Sequence, residues 1–238
     1  PGNDTIYGGG GDDQIHGRLG GDEIHGGSGR DVITGDEGED TIHGGHDDDT
    51  ITGGIGADTI DAGHGNDLVN WAYGDGNDDI SGGGSAGDKL VMVAQEGLKE
   101  DEFNIAEGSS SFPSGEALGG QPVDVVVTYT DQDGTSATIE FALLEILRIE
   151  AGEGGDTINA DDLRQVTSLN EIEVDAGRGE IFDRERFLET VSREMSASPL
   201  TAAGSDHHDV FHEFAQHRVS LRNHDSDPLL ENEIVNRE

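Results

Sequence analysis

Residues 26–43 read GGSGRDVIT and then GDEGEDTIH, two near-copies of one nine-residue phrase. Each copy carries Asp at its sixth place and an aliphatic residue at its eighth: Asp31 with Ile33, then Asp40 with Ile42. Outward from this pair the register holds without a slip. The eighth place is filled by Ile6, Ile15, Ile24, Ile33, Ile42, Ile51, Ile60 and Val69. The sixth is filled by Asp4, Asp13, Asp22, Asp31, Asp40, Asp49, Asp58 and Asp67. The fourth place is Gly11, Gly20, Gly29, Gly38, Gly56 and Gly65, with Asp47 as the exception. The first place is Gly until Ala62, and the second departs from Gly at Arg18 and Asp36. Past Val69 the spacing breaks. WAYGDGNDDIS brings Asp78 and Ile80 eleven residues on, GDKLV brings Asp88 and Leu90, and one isolated copy, AGEGGDTIN, stands at 151–159.

A nine-residue unit is too short for a helix–turn–helix. It suits a loop of about six residues followed by a strand of about three, whose middle residue alone faces inward. Thr5, Gln14, Glu23, Thr41, Thr50 and Thr59 beside the aliphatic place suit a solvated outer face. Two consecutive units then make one turn of a flattened right-handed coil. Odd copies stack into one parallel sheet and even copies into the other. With strands ~4.8 Å apart, the copies give a roll about 20–25 Å long around a double file of Ile. The expected fold class is all-β, a parallel β-roll with a β-strand and hairpin capping segment and a short helical or disordered C-terminal tail.

The charge balance sets the second constraint. Of 238 residues, 52 are acidic and 13 basic, 38 are Gly, and only 32% are apolar. Without the periodicity this composition reads as disorder, since too little apolar surface offsets chain entropy. The net charge of −39 disfavours nucleic acid, whose phosphates it repels, and insertion at an anionic membrane surface. There is no Cys, so disulfides and thiolate metal sites are excluded. Cations are the natural partners. Gly lets the loops take positive φ and lets carbonyl oxygens converge, while the sixth-place Asp adds a charged oxygen on the same side. Stacked loops therefore make rows of oxygen pockets. Hard oxygen donors and flexible geometry point to Ca²⁺ rather than Zn²⁺ or Mg²⁺. Residues 1–90 hold twenty acidic and three basic side chains, so ion binding and folding should be coupled.

GGGGDDQIH, GGSGRDVIT and GGIGADTID resemble the GGxGxDxUx nonapeptide of the RTX (repeats-in-toxin) family. The resemblance covers residues 1–90 and, once more, 151–159. It implies a calcium-binding roll, export by a type I secretion machine, folding outside the cell or at its surface, and service to an upstream domain of the same chain. It also implies that loop carbonyls and Asp side chains hold ions between loops two copies apart. Carried onto this sequence, Asp13 with Asp31, Asp22 with Asp40, Asp31 with Asp49, Asp40 with Asp58, and Asp49 with Asp67 frame successive sites. Gly9, Gly11, Gly20, Gly27, Gly29, Gly38, Gly45, Gly54, Gly56, Gly63 and Gly65 lend carbonyls. Asp47 needs a strained loop to do the same, and Arg18 either weakens the first pocket or points outward. Roughly five to seven ions are implied. For a larger parent the resemblance allows an accessory roll of an enzyme (metalloprotease, lipase or polysaccharide epimerase), or part of an adhesin or surface-layer protein.

The organisation expected is a roll over 1–90, a β-rich cap over 91–160 and a polar tail over 161–238. In the cap, Asp124–Thr130 and Thr135–Phe141 alternate around the turn Asp131–Gly134 and read as a hairpin. LLEILRIE supplies a further strand or short helix, and 106–121 reads as a loop. From about Asp161 the chain reads as helical and polar, with helices at 183–195 and from Asp206, and as disordered after Val219. No catalytic constellation appears. HEFAQH at 212–217 has one residue too many for a zincin motif. His25, His43 and Asp61 share the ninth place of alternate copies and so stack on one outer face, where they are a candidate second metal site for Zn²⁺ or Cu²⁺.

Overall fold

The structure, a computed structural model, describes residues 1–84, 87–95, 100–108, 111–112, 118, 121–160, 163, 166, 168–175 and 218–222. Each nonad contributes one strand: β1 Thr5–Gly10, β2 Gln14–Leu19, β3 Glu23–Ser28, β4 Val32–Glu37, β5 Thr41–His46, β6 Thr50–Ile55, β7 Thr59–His64 and β8 Leu68–Ala72. Odd and even strands separate as the period demands. β1, β3, β5 and β7 pair in parallel in one sheet, and β2, β4, β6 and β8 in the other. The register is that of the repeat, with Ile6 beside Ile24, Ile24 beside Ile42, and Ile15 beside Ile33.

The strands are longer than expected. β1 to β7 have six residues, not about three, and run from the seventh place through the third of the next copy. The first two places of each copy are therefore strand residues. Period two then sends the sixth, eighth and first places inward. Ile24, Ile33, Ile42, Ile51 and Ile60 are buried, as are Asp22, Asp31, Asp40, Asp49 and Asp58, and the first-place Gly lies between successive Ile residues. Each buried Ile contributes about 1.5–3 kcal/mol of transfer free energy. The first-place Gly carries no side chain to add to it.

That inward place changes hands along the chain. It is Ala62 in the next copy, then Trp71 on β8 and Met92 on β10 (Lys89–Val93), each buried. The core widens accordingly. Trp71, Phe103 and Tyr129 form an aromatic cluster, with Tyr129 5.5 Å from Trp71 and 5.1 Å from Phe103 between centroids. The capping strands join the same two sheets. One continues through β9 (Asp79–Ser81) to β13 (Ser136–Ala142), β12 (Val125–Thr130), β11 (Glu102–Glu107) and β15 (Thr157–Ala160). The other continues from β10 to β14 (Ile146–Glu150), β16 (Glu171–Asp175) and β17 (Arg218–Arg222).

β12 and β13 form the expected antiparallel hairpin. Its turn is closed by Asp131 Oδ1, which accepts the Asp133 and Thr135 N–H groups at 2.9 and 2.7 Å. LLEILRIE resolves as strand β14, and the lone nonad supplies β15. Two expectations are corrected. The chain does not turn helical throughout from Asp161, because EIEVD alternates and buries Ile172 and Val174 as β16. Nor is the stretch after Val219 wholly without structure, since Arg218–Arg222 pairs in parallel with the open edge of β16. The helices expected at 183–195 and from Asp206, with HEFAQH, lie outside the described residues.

Candidate metal centre

At each end of a strand the loop bends under the first residue of the next turn. The sixth-place Asp closes it. A methyl placed on Gly17 would stand 2.6 Å from Asp22 Oδ2, and one on Gly26 would stand 2.6 Å from Asp31 Oδ2. The carboxylate thus folds back beneath its own loop, which only Gly, or Ala at Ala62, leaves room for.

The two carboxylate oxygens have different fates. Oδ1 accepts the backbone N–H of the sixth-place residue one turn earlier. Along one edge Asp13 donates to Asp31 at 2.9 Å, Asp31 to Asp49 at 2.8 Å, and Asp49 to Asp67 at 2.8 Å. Along the other, Asp4 donates to Asp22 at 2.7 Å, Asp22 to Asp40 at 2.7 Å, and Asp40 to Asp58 at 2.8 Å. Oδ2 of Asp13, Asp22, Asp31, Asp40, Asp49, Asp58 and Asp67 is buried without a hydrogen-bond partner. An unpaired buried acceptor is costly, and an ionised one more so. Here it recurs in all seven complete nonads from Asp13 to Asp67.

Carbonyl oxygens line the same gaps. A methyl on Gly27, Gly45 or Gly63 would run into the carbonyl oxygen of Gly9, Gly27 or Gly45, the second-place residue one turn earlier. At the fourth place Gly29, Gly38, Gly56 and Gly65 stand in the same relation to the carbonyls of Gly11, Gly20, Gly38 and Asp47. Gly54 lies over Asp36 in this way. Most of these glycines hold positive φ, and so do the three departures from the pattern: Arg18 at 86°, Asp36 at 77° and Asp47 at 74°. The Asp47 loop is thus held in the left-handed region that its glycine neighbours occupy without steric penalty. Arg18 is exposed.

Electrostatics follow from burial. It drives the carboxyls of Asp49, Asp58 and Asp88 up to about 7, Asp67 to about 6 and Asp78 to about 8. The N–H bond each accepts opposes the rise, and neighbouring carboxylates add to it. These groups resist ionisation in the absence of a counter-charge. Oxygen-only donors, buried unpaired carboxylate oxygens and carbonyls facing one gap are a donor set that fits Ca²⁺.

The outer-face candidate is assembled differently. Tyr7, His25, His43 and Asp61 are register neighbours. The Tyr7, His25 and His43 rings stack face to face at 4.8 Å, and His43 Nδ1 lies 3.9 Å from Asp61 Oδ2. Stacked imidazoles hold their in-plane lone pairs side by side rather than aimed at one point. Among the described residues no group of three or more His, Asp or Glu side chains has metal-holding geometry, so a three-ligand site at His25, His43 and Asp61 is not assembled.

Sequence reasoning left several members out of the carboxylate rows. Asp58 N–H donates to Asp78 Oδ1 at 2.9 Å and Asp67 N–H to Asp88 Oδ1 at 2.8 Å, across separations of 20 and 21 residues instead of 18. The displaced Asp–Ile and Asp–Leu pairs were the signal. In the cap, Asp101 N–H donates to Asp156 Oδ1 at 3.0 Å, the same bond made by the lone nonad.

Compared with known protein families, residues 1–24, 16–51 and 47–70 match the RTX calcium-binding nonapeptide repeat (4 copies). No curated protein and no solved structure matches the chain significantly.

Proposed function

We propose that the roll, whose residues 1–70 match the RTX calcium-binding nonapeptide repeat, is a calcium-triggered folding module of a secreted protein. Asp13, Asp22, Asp31, Asp40, Asp49, Asp58 and Asp67 would give Oδ2 to ions lying between same-edge loops. The second- and fourth-place carbonyls would complete the shells. The observation that carries this reading is the row of buried, unpartnered Oδ2 atoms. One such atom would be an imperfection, but seven in register from Asp13 to Asp67 make a donor row suited to a cation.

The consequence is a chain with two states. Without calcium, the carboxylates repel and the narrow Ile file is too small to hold them, so the chain stays extended and suited to type I export. With calcium outside the cell, each ion joins two turns, and binding free energy becomes folding free energy. The roll would then stabilise the remainder of its polypeptide at the cell surface or beyond.

Circular dichroism tests this. Calcium at about 1 mM, the range of extracellular modules, should convert the chelator-treated chain from coil to strand, and equal magnesium should not. Full strand signal in EDTA would refute it.

A further inference from the structure

Across the outer face of β10, β14 and β16 the charges do not balance. Lys89 and Arg148 stand against Glu150, Glu171, Glu173 and Asp175, two cations to four carboxylates. Lys89 is engaged by Glu173 at 2.7 Å, and Arg148 is shared among Glu150, Glu173 and Asp175. Most of the acid lies on β16, where acidic and apolar residues alternate as EIEVD and Ile172 and Val174 are buried. β17 supplies the missing cations in the missing places. Its sequence is RVSLR. It pairs in parallel, with Arg218 opposite Glu171, Val219 opposite Ile172, Ser220 opposite Glu173, Leu221 opposite Val174 and Arg222 opposite Asp175. The count over the four strands then becomes four against four.

Two further features make this pairing selective. Arg218 and Arg222 are the only two Lys or Arg residues in the sequence that stand four apart, so no other five-residue stretch begins and ends on such a cation. A slip of one residue would set both Arg opposite apolar places and Val219 and Leu221 opposite acidic ones, so the register is fixed by the pattern. The same edge also rejects its own kind. An unpaired edge is a template for another chain, but β16 of a second copy would bring carboxylate opposite carboxylate, which is destabilising. The edge is thus open to backbone pairing, repels a copy of itself and suits a strand with a cation at each end.

We propose that the side of β16 away from β14 is a strand-docking edge specific for segments of the form basic–apolar–any–apolar–basic, and that Arg218–Arg222 is its tethered occupant. Main-chain hydrogen bonds supply the affinity, and the alternating side chains supply the choice. The occupant is a separable strand, reaching the edge from the far side of residues 176–217. No sixth-place Asp of the nonads belongs to this edge, so its role is distinct from calcium binding.

The test is hydrogen exchange read by mass spectrometry on the full chain in saturating calcium. It compares wild type, the double variant Arg218→Glu/Arg222→Glu and the charge-swapped variant Glu171→Arg/Arg218→Glu. In the double variant the amides of 218–222 should exchange about ten-fold faster, since two attractive cross-strand pairs become repulsive, while β1 to β8 keep wild-type protection. The charge-swapped variant should recover most of the protection. A labelled peptide of residues 215–225 should bind the double variant, whose edge is vacant, more tightly than wild type, whose edge is filled. The same peptide with Glu in place of both Arg should bind about ten-fold more weakly. Unchanged protection in the double variant, no recovery in the charge-swapped one, or equal binding of the two peptides would overturn the proposal. Loss of protection in β1 to β8 along with β17 would also overturn it, because β17 would then belong to one cooperative fold and not be separable.

Discussion

Asp58→Asn separates the two jobs of a sixth-place carboxylate. Asp58 is 1% exposed, its Oδ1 accepts the Asp40 N–H at 2.8 Å, and its Oδ2 is buried and unpaired. Asn can keep the first bond and removes the charge. With calcium at about 10 mM and a Kd on the order of 10⁻⁴–10⁻³ M, a site contributes about 1.4–2.7 kcal/mol. Losing it should lower Tm by about 3–11 °C for a chain of this size. Asp58 also borders a second gap, through the bond from its own N–H to Asp78 Oδ1, so the upper figure doubles if both are filled. Without calcium the sign reverses. Asp40, Asp75 and Glu39 all repel the Asp58 carboxylate, and Asn relieves that repulsion. Thermal melts followed by circular dichroism in calcium, and strand content in EDTA, measure both arms. The variant should melt earlier than wild type in calcium and show at least wild-type strand content in EDTA. An unchanged Tm in calcium, or lower strand content in EDTA, would refute the reasoning.

Two other outcomes follow from the same geometry. In the metal-free roll, burial raises Asp49, Asp58 and Asp88 to about 7, Asp67 to about 6 and Asp78 to about 8, from an ordinary 3.8. Groups raised on folding stabilise the fold below their unfolded value and lose that contribution as pH climbs through the folded one. Strand content in EDTA should therefore be highest near pH 4 and fall progressively through pH 6–8, and a metal-free chain better folded at pH 8 than at pH 5 would contradict this. The second outcome concerns Gly56, whose φ is not in the left-handed region but whose added methyl would collide with the Gly38 carbonyl oxygen. Gly56→Ala should cost about 1–3 kcal/mol by overpacking, measured by chemical denaturation in calcium. Gly10→Ala, with nothing within 4 Å of the new methyl, should be close to neutral, and equal costs would show that crowding is not the constraint.

The period, the inward aliphatic residue and the separation of odd from even copies were legible because a side chain marks each of them. Ile51 or Asp49 recurs, and the eye can count. What the repeat concealed was its inward first place, since Gly35, Gly44 and Gly53 bear nothing that reports orientation. Only Ala62, Trp71 and Met92 at that place betray it, and they lie where the pattern is failing. The six-residue strands were missed for the same reason. Asp22 and its counterparts are legible as loop residues lining oxygen pockets, but not as the buried residues they are. A carboxylate belongs on a surface unless an ion is expected beneath it, and the sequence shows the charge but not the direction. The hairpin was readable from the chemistry of its turn at Asp131–Gly134. The bond from the Asp88 N–H to Glu145 Oε2 had no signal, because one Glu ahead of an apolar strand looks like any other. β16 was hidden by its length, for five alternating residues in a polar region carry little weight against the helical patterns beyond.

The two halves of these sheets answer negative charge by different means, and this explains why the repeat can end. In the nonads no basic side chain is buried beside the Asp row, so under the proposed function calcium is its counter-charge. On β10, β14 and β16 it is built in. Lys89 holds Glu173 at 2.7 Å, and Arg148 reaches Glu150 at 2.8 Å, Glu173 at 3.3 Å and Asp175 at 3.9 Å. Burial would raise Glu173, but Lys89 and Arg148 outweigh it and hold its carboxyl below the usual range. The core changes in step, from Gly and Ile to Trp71, Phe103, Tyr129 and Phe141. A wider apolar core supplies from within what, under the proposed function, the narrow one takes from an ion. Asp88 and Lys89 lie where one arrangement gives way to the other, with Lys89 paired to Glu173 and its carboxylate neighbour buried.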